Sequence, residues 1–188
     1  MTPPTSRTLV LGGTRSGKSA WAESLLDEAS PAVYVATARA VDPAADPEWA
    51  DRIAVHRARR SARWETVEDH DGTVTAAVLA QRTDVAVLVD DLGTWVTGLL
   101  DDAGWARDAA SVAAARAALV DAVARRTGPL VLVSAEVGLG VVPSTSAGRR
   151  FRDELGLLNT ELATACDEVR LLVAGLPLPL KVAAPREH

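Results

Sequence analysis

The run Gly12-Gly13-Thr14-Arg15-Ser16-Gly17-Lys18-Ser19 fits the pattern G-x-x-x-x-G-K-[ST], and its flanks give that pattern meaning. Before it, Thr8–Leu11 is a short apolar run of the kind that forms a strand buried on both faces; after it, Lys18–Ala29 has helical spacing. A strand that turns through glycines into a helix points successive backbone N–H groups inward. With the positive helix N-terminus they form a cradle for phosphate oxygens, and Gly12, Gly13 and Gly17 are read as permitting that turn. Lys18 can reach the β- and γ-phosphates of a nucleotide, and the Ser19 hydroxyl is the expected ligand of a Mg²⁺ ion beside them. A chance Gly-rich turn is the competing explanation, and the strand before and helix after argue against it. Of the 20 Lys and Arg residues only Lys18 and Lys181 are lysine, so arginine serves wherever a generic positive charge suffices. Lys18 reads as selected for its place.

The strand signature recurs at Ala32–Ala36, Val85–Val89, Leu130–Val133 and Val169–Val173. Helix-period segments lie between, at Pro47–Arg60, Thr73–Gln81, Trp105–Arg126 and Ala147–Cys166. A shorter strand is expected at Trp64–Val67, and a last one at Leu178–Val182, which Pro177 and Pro179 would confine to an edge. This βαβα order predicts an α/β fold, a mainly parallel sheet with helices on both faces and ligands at the carboxyl ends of the strands. Residues 1–188 read as a single nucleotide-binding domain, with 1–6 expected to be disordered. Val85–Val89 runs into Asp90-Asp91, a buried strand ending in carboxylates, as a Walker B segment does. Asp90 is the expected second holder of Mg²⁺ or its water.

A formal net charge of -5 argues against a general nucleic-acid binder, which needs a broad basic face. No window approaches the roughly 18 apolar residues of a membrane span. Residues 1–6 lack the basic start and apolar stretch of a signal peptide, so a cytoplasmic protein is expected. Cys166, the single cysteine, cannot form an internal disulfide and reads as a small buried hydrophobe. Charge is locally uneven. Five arginines fall between Arg52 and Arg63, and on one helix Arg52, His56, Arg59, Arg60 and Arg63 would share a face. Two explanations stand: a solvated arginine face with an incidental histidine, or a cluster whose mutual repulsion a bound polyphosphate relieves. His70 and His188 read as surface residues, and no metal-ligand spacing joins the three histidines.

From about Arg7 to Lys181 the chain resembles the bifunctional adenosylcobinamide kinases and adenosylcobinamide-phosphate guanylyltransferases of cobalamin biosynthesis. The segments that carry the likeness are Gly12–Ser19, Tyr34–Ala38, the block from Arg52 through His56 to Trp64 with Glu68 beyond it, Val85–Leu92, Glu136–Pro143, and Phe151-Arg152-Asp153 with Asn159. The resemblance implies a P-loop NTPase (RecA-like) three-layer fold carrying two reactions. One is phosphoryl transfer from ATP or GTP to the side-chain hydroxyl of adenosylcobinamide. The other is transfer of GMP from GTP, in which the histidine matching His56 attacks the α-phosphate and holds GMP until the cobinamide phosphate takes it, giving adenosylcobinamide-GDP. It also implies nucleotide contacts at Gly12, Gly13, Thr14, Arg15, Ser16, Gly17, Lys18, Ser19, Ala36, Thr37, Ala38, Arg57, Ala58, Arg59, Arg60, Glu68 and Asp90, with His56 and Lys18 catalytic. Mg²⁺ at Ser19 and Asp90 and a homo-oligomer, commonly a trimer, follow from the same likeness. Thr14 stands where the family often has Ala, Asp91 where Cys is frequent and Ser61 where Pro is common.

Two other readings remain open on the sequence: a simpler P-loop small-molecule kinase in which His56 is a bystander, and a non-catalytic nucleotide-binding module.

Overall fold

A computed structural model describes residues 7–39, 44, 46–106 and 110–183, without the side chains of Trp49, Arg52, His56 and Arg59. The expected disorder at 1–6 and the terminal His188 lie outside the described residues.

Seven strands form one sheet: β1 (Arg7–Gly12), β2 (Ala32–Ala36), β3 (Trp64–Glu68), β4 (Ala86–Asp90), β5 (Leu130–Ala135), β6 (Glu168–Val173) and β7 (Leu176–Lys181). Their order is β3-β2-β4-β5-β1-β6-β7, with the first six parallel and β7 antiparallel to β6. The sheet alternates its side chains between two cores. Leu9, Val33, Val35, Val87, Val89, Leu130 and Leu132 face helices α3 (Val74–Gln81), α4 (Leu92–Asp102), α5 (Ala110–Arg125) and α6 (Ser146–Ala165). Val10, Tyr34, Leu88, Val131 and Val133 face α1 (Lys18–Ser24) and the turn after it, through Ala22 and Leu26. A sheet buried on both faces requires the near-continuous apolar strands of this sequence. The expected α/β fold of the P-loop NTPase type, in three layers, is therefore the one observed.

No described side chain of the helix α2 (Pro47–Arg59) belongs to either core cluster. Arg60 and Arg63 fall beyond its end, so they do not continue the single helical face expected for the arginine block. α1 stops at Ser24 rather than Ala29, because the Asp27 carboxylate accepts from the Ala29 amide at 3.0 Å and from the Ser30 hydroxyl at 2.7 Å and closes a local turn. The helix expected from Trp105 begins, among the described residues, at Ala110. A helix the sequence reading omitted, α4, starts straight after β4, where the Asp91 carboxylate accepts from the Thr94 amide at 2.9 Å and caps it. Asp91 is thus the cap of α4, and the strand ends at Asp90.

β7 is the exposed edge expected of a Leu-Pro-Leu-Pro segment, with Pro177 and Pro179 opposite Leu172 and Arg170. The β6–β7 turn places Ala174 and Gly175 at φ 52 and 81. There the Gly175 amide donates to the Ser16 carbonyl at 3.0 Å, bracing the phosphate loop from the side.

Candidate active site

The carboxyl ends of β1, β2, β4 and β5 converge on the turn that follows β1. The Glu136 amide donates to the Gly12 carbonyl at 3.1 Å, and α1 opens with the Trp21 amide donating to the Gly17 carbonyl at 2.9 Å. Two of the three glycines have a steric reason to be there. A Cβ on Gly12 would stand 2.4 Å from Ser16 Oγ and 3.1 Å from the Leu172 carbonyl, and Gly17 sits at φ 88. Gly13 has open space around it and is not among the positive-φ glycines, so the turn does not need a glycine there.

A cavity of about 670 Å³ opens over this loop. Its floor is Arg15 to Ser19, with Asp90 and Asp91 from the end of β4; its far wall is α2, through Glu48, Asp51, Ile53, Val55 and Arg57. Ala20, Tyr34, Ala36, Ala38, Arg60, Glu68 and Thr94 complete the lining. Within it the Ser19 hydroxyl donates to Asp90 Oδ1 at 3.1 Å, and the Tyr34 hydroxyl donates to Asp90 Oδ2 at 2.6 Å. Burial, and then the neighbouring Asp90 carboxylate, raise the Tyr34 hydroxyl above its ordinary value, so it remains a donor. Burial likewise raises the Asp91 carboxyl, with Asp90 adding to the effect and the Thr94 amide, then Lys18, opposing it.

The rest of the expected site is distributed as follows. Arg57 donates to Glu68 Oε1 at 3.0 Å, and His70 lies 3.0 Å from Glu68 Oε2, which ties α2 to the end of β3. Arg60 lies over the Tyr34 ring, 3.8 Å from its centroid. Thr37 is buried: its hydroxyl donates to the Asp91 carbonyl and meets Thr94 Oγ1, both at 2.6 Å, so it joins β2 to α4 and does not line the cavity. Gly12, Gly13, Thr14 and Ala58 do not line it either. The ring of His56 and the side chain of Arg59 lie outside the described side chains, but Val55 and Arg57 on either side of His56 both face the cavity.

Other contributors had no site role assigned on the sequence, although Tyr34, Glu136–Pro143, Arg152 and Asn159 fall in segments that carry the family likeness. Glu48 and Asp51 bring two carboxyls to the cavity from the first half of α2. Tyr34 reads in sequence as one more apolar strand residue, and only its hydroxyl distinguishes it. The Glu136–Pro143 loop beside the P-loop is fastened by Arg152 donating to the Gly138 and Gly140 carbonyls at 2.7 and 3.1 Å. Asn159 holds the end of β5, accepting from the Ser134 hydroxyl at 2.6 Å and donating to the Ala135 carbonyl at 3.1 Å.

Ser19 Oγ and Asp90 Oδ1 form a hard oxygen pair suited to Mg²⁺, which takes one or two protein oxygens and completes its shell from phosphates and water. Among the described residues no group of three or more His, Cys, Asp or Glu side chains is arranged to hold a metal alone. No helix among them is long and apolar enough to cross a membrane.

Residues 8–180 match the family described as Cobinamide kinase / cobinamide phosphate guanyltransferase. A bifunctional adenosylcobalamin biosynthesis protein CobP of Pseudomonas aeruginosa is 44% identical over 178 residues, which covers 93% of this chain and 97% of the relative. The corresponding CobU of Salmonella typhimurium is 40% identical, covering 92% and 98%. A crystal structure of the RadB recombinase aligns over 90% of this chain and 74% of its own, with a TM-score of 0.49 and 14% identity.

Proposed function

We propose, from the premise that this chain belongs to the cobinamide kinase / cobinamide phosphate guanyltransferase family, that the cavity over the P-loop serves both of that family's transfers and that His56 carries the second. The protein is a transferase of adenosylcobalamin biosynthesis, a cobinamide kinase and a cobinamide-phosphate guanylyltransferase. The observation that supports a shared cavity is that Val55 and Arg57, the sequence neighbours of His56, line the same space as Lys18, Ser19 and Asp90.

In the kinase step the loop amides from Arg15 to Ser19 and the Lys18 ammonium hold the β- and γ-phosphates of ATP or GTP. The acceptor hydroxyl oxygen bonds to the γ-phosphorus, its proton passes to solvent, and the bridging oxygen leaves with the diphosphate. Mg²⁺, held by Ser19 and Asp90, would offset the negative charge of the phosphates. In the second step a nitrogen of the neutral His56 imidazole bonds to the α-phosphorus of GTP and pyrophosphate leaves. A phosphate oxygen of the cobinamide phosphate then displaces the imidazole and takes GMP. Arg57 and Arg60, which both line the cavity, would supply positive charge to the phosphates, and Ala36, Ala38 and Glu68 are assigned to the nucleoside end of GTP on the family likeness. The same reading has the protein working in the cytoplasm as a homo-oligomer, a trimer being the expected form.

GTP labelled at the α-phosphate decides the matter. An acid-labile label is expected on wild-type protein and none on His56→Ala, while His56→Ala still phosphorylates cobinamide. Equal labelling of the two proteins would leave His56 a bystander beside a simple kinase site.

A further inference from the structure

Tyr34 is buried to 1% exposure, and the register of β2 on β4 sets it opposite Leu88, with Ala36 opposite Asp90. Asp90 is therefore the diagonal neighbour of Tyr34 on the same sheet face, two residues along and one strand across, roughly 8 Å away at the backbone, a span that a phenol bridges and a shorter side chain does not. The bridge is made: the hydroxyl lies 2.6 Å from Asp90 Oδ2. The ring cannot swing away, since Val10, Leu88 and Val133 pack in the same cluster and the Arg60 guanidinium covers its face at 3.8 Å. A terminal carboxylate rotates over a broad two-fold well. With Oδ2 engaged by a fixed donor, Asp90 presents Oδ1 toward Ser19 Oγ, 3.1 Å away at the cavity floor.

We infer that Tyr34 is a positioning residue for the metal-nucleotide site, holding the Asp90 carboxylate so that one oxygen is aimed, together with the Ser19 hydroxyl, at the cation that accompanies the nucleotide. The inference rests on the assignment of Mg²⁺ to Ser19 and Asp90 above. The competing explanation inverts cause and effect: a buried phenol needs an acceptor, and Asp90 supplies one for stability alone. The two differ in what loss of the hydroxyl does. A partner whose only service is to satisfy a buried group affects unfolding, whereas a group that orients a metal ligand affects metal affinity, typically by tenfold or more.

Tyr34→Phe removes the hydroxyl and keeps the ring under Arg60. Binding of a fluorescent non-hydrolysable GTP analogue is measured in EDTA and across a Mg²⁺ titration. Mn²⁺ uptake by the analogue complex is followed by EPR, and the unfolding midpoint of the unliganded protein is recorded. The expected result is a roughly tenfold rise in the Mg²⁺ and Mn²⁺ concentrations at half-saturation, with binding in EDTA unchanged. Identical cation dependence in the two proteins, whatever happens to the unfolding midpoint, overturns the role of Tyr34 and leaves the metal assignment standing. Wild-type binding that is indifferent to Mg²⁺ overturns the metal assignment and this inference with it.

Discussion

Ser19 and Asp90, separated by 71 positions in the chain, meet at 3.1 Å where the first turn of α1 passes the end of β4. The contact exists because β5 alone intervenes between β1 and β4 in the sheet, so the phosphate loop and the acidic strand end reach the same edge. Replacing Asp90 by Asn keeps one acceptor oxygen, enough for Tyr34 or Ser19 but not for both, and removes the charge that a cation requires. Phosphoryl transfer to cobinamide is expected to fall on the order of 100-fold in kcat, with the far-UV circular dichroism unchanged. Steady-state kinetics across a Mg²⁺ series checks this, and near-wild-type rates in Asp90→Asn would move the metal to another residue.

Gly12 and Gly13 are adjacent and identical, yet only the first is crowded. A methyl on Gly12 would press on Ser16 Oγ and on the Leu172 carbonyl, and the latter is backbone that cannot turn aside; a methyl on Gly13 meets nothing within 4 Å. Overpacking of this kind costs about 1–3 kcal/mol. Gly12→Ala should weaken nucleotide binding about tenfold or more by isothermal titration, while Gly13→Ala stays within about threefold. Equal effects would show that the loop is limited by backbone freedom rather than by space.

That contrast also marks how far the sequence could be read. The strands were legible because burial on both faces leaves short apolar runs with no alternation to misjudge, and the phosphate loop because its flanks constrain it. α4 was not, since Leu92–Asp102 carries Gly93, Thr94, Thr97 and Gly98, weak helix formers whose place is fixed by tertiary packing and by the Asp91 cap. Thr37 shows the same limit at the site. Its neighbours Ala36 and Ala38 line the cavity, and nothing in the local pattern says that its own hydroxyl turns inward to Asp91 and Thr94. The roles of Tyr34 and of Glu48 and Asp51 depend on contacts between distant segments, which no local pattern records.

Arg7 and Asp167 pair across the start of β1 and β6. The Arg7 guanidinium, through its hydrogen bonds, holds the Asp167 carboxyl down to about 2 from the ordinary 3.8, and Arg7 is raised in turn. A carboxylate depressed on folding contributes stability that is fully present above its unfolded value and is lost as the pH falls through its folded one. The pair should therefore favour the folded state at neutral pH, and its contribution should fade between about pH 4 and about pH 2. Urea unfolding of wild type and Asp167→Asn is expected to show a gap at pH 7 that closes across this window and narrows with added salt, because both side chains are partly exposed. A gap that persists unchanged at pH 2 would mean that Asp167 acts by geometry rather than by charge.

Lysine is scarce in this chain, and Lys181 repeats the argument made for Lys18. Its ammonium donates to the carbonyls of Ala163, Thr164 and Cys166 at 3.0, 3.2 and 2.6 Å, closing the carboxyl end of α6 from the last residue of the exposed edge strand. Those carbonyls have no helical partner of their own, and a cation there meets the negative end of the helix dipole. A compact ammonium with three rotatable donors can serve three acceptors that diverge; a planar guanidinium presents its donors in a fixed fork. Lys181→Met, which keeps the stem and loses the charge, should cost about 1–2 kcal/mol in urea unfolding. Lys181→Arg, conservative in charge, should recover only part of that. If the arginine variant were as stable as wild type, geometry would not explain why a chain otherwise built with arginine keeps a lysine here.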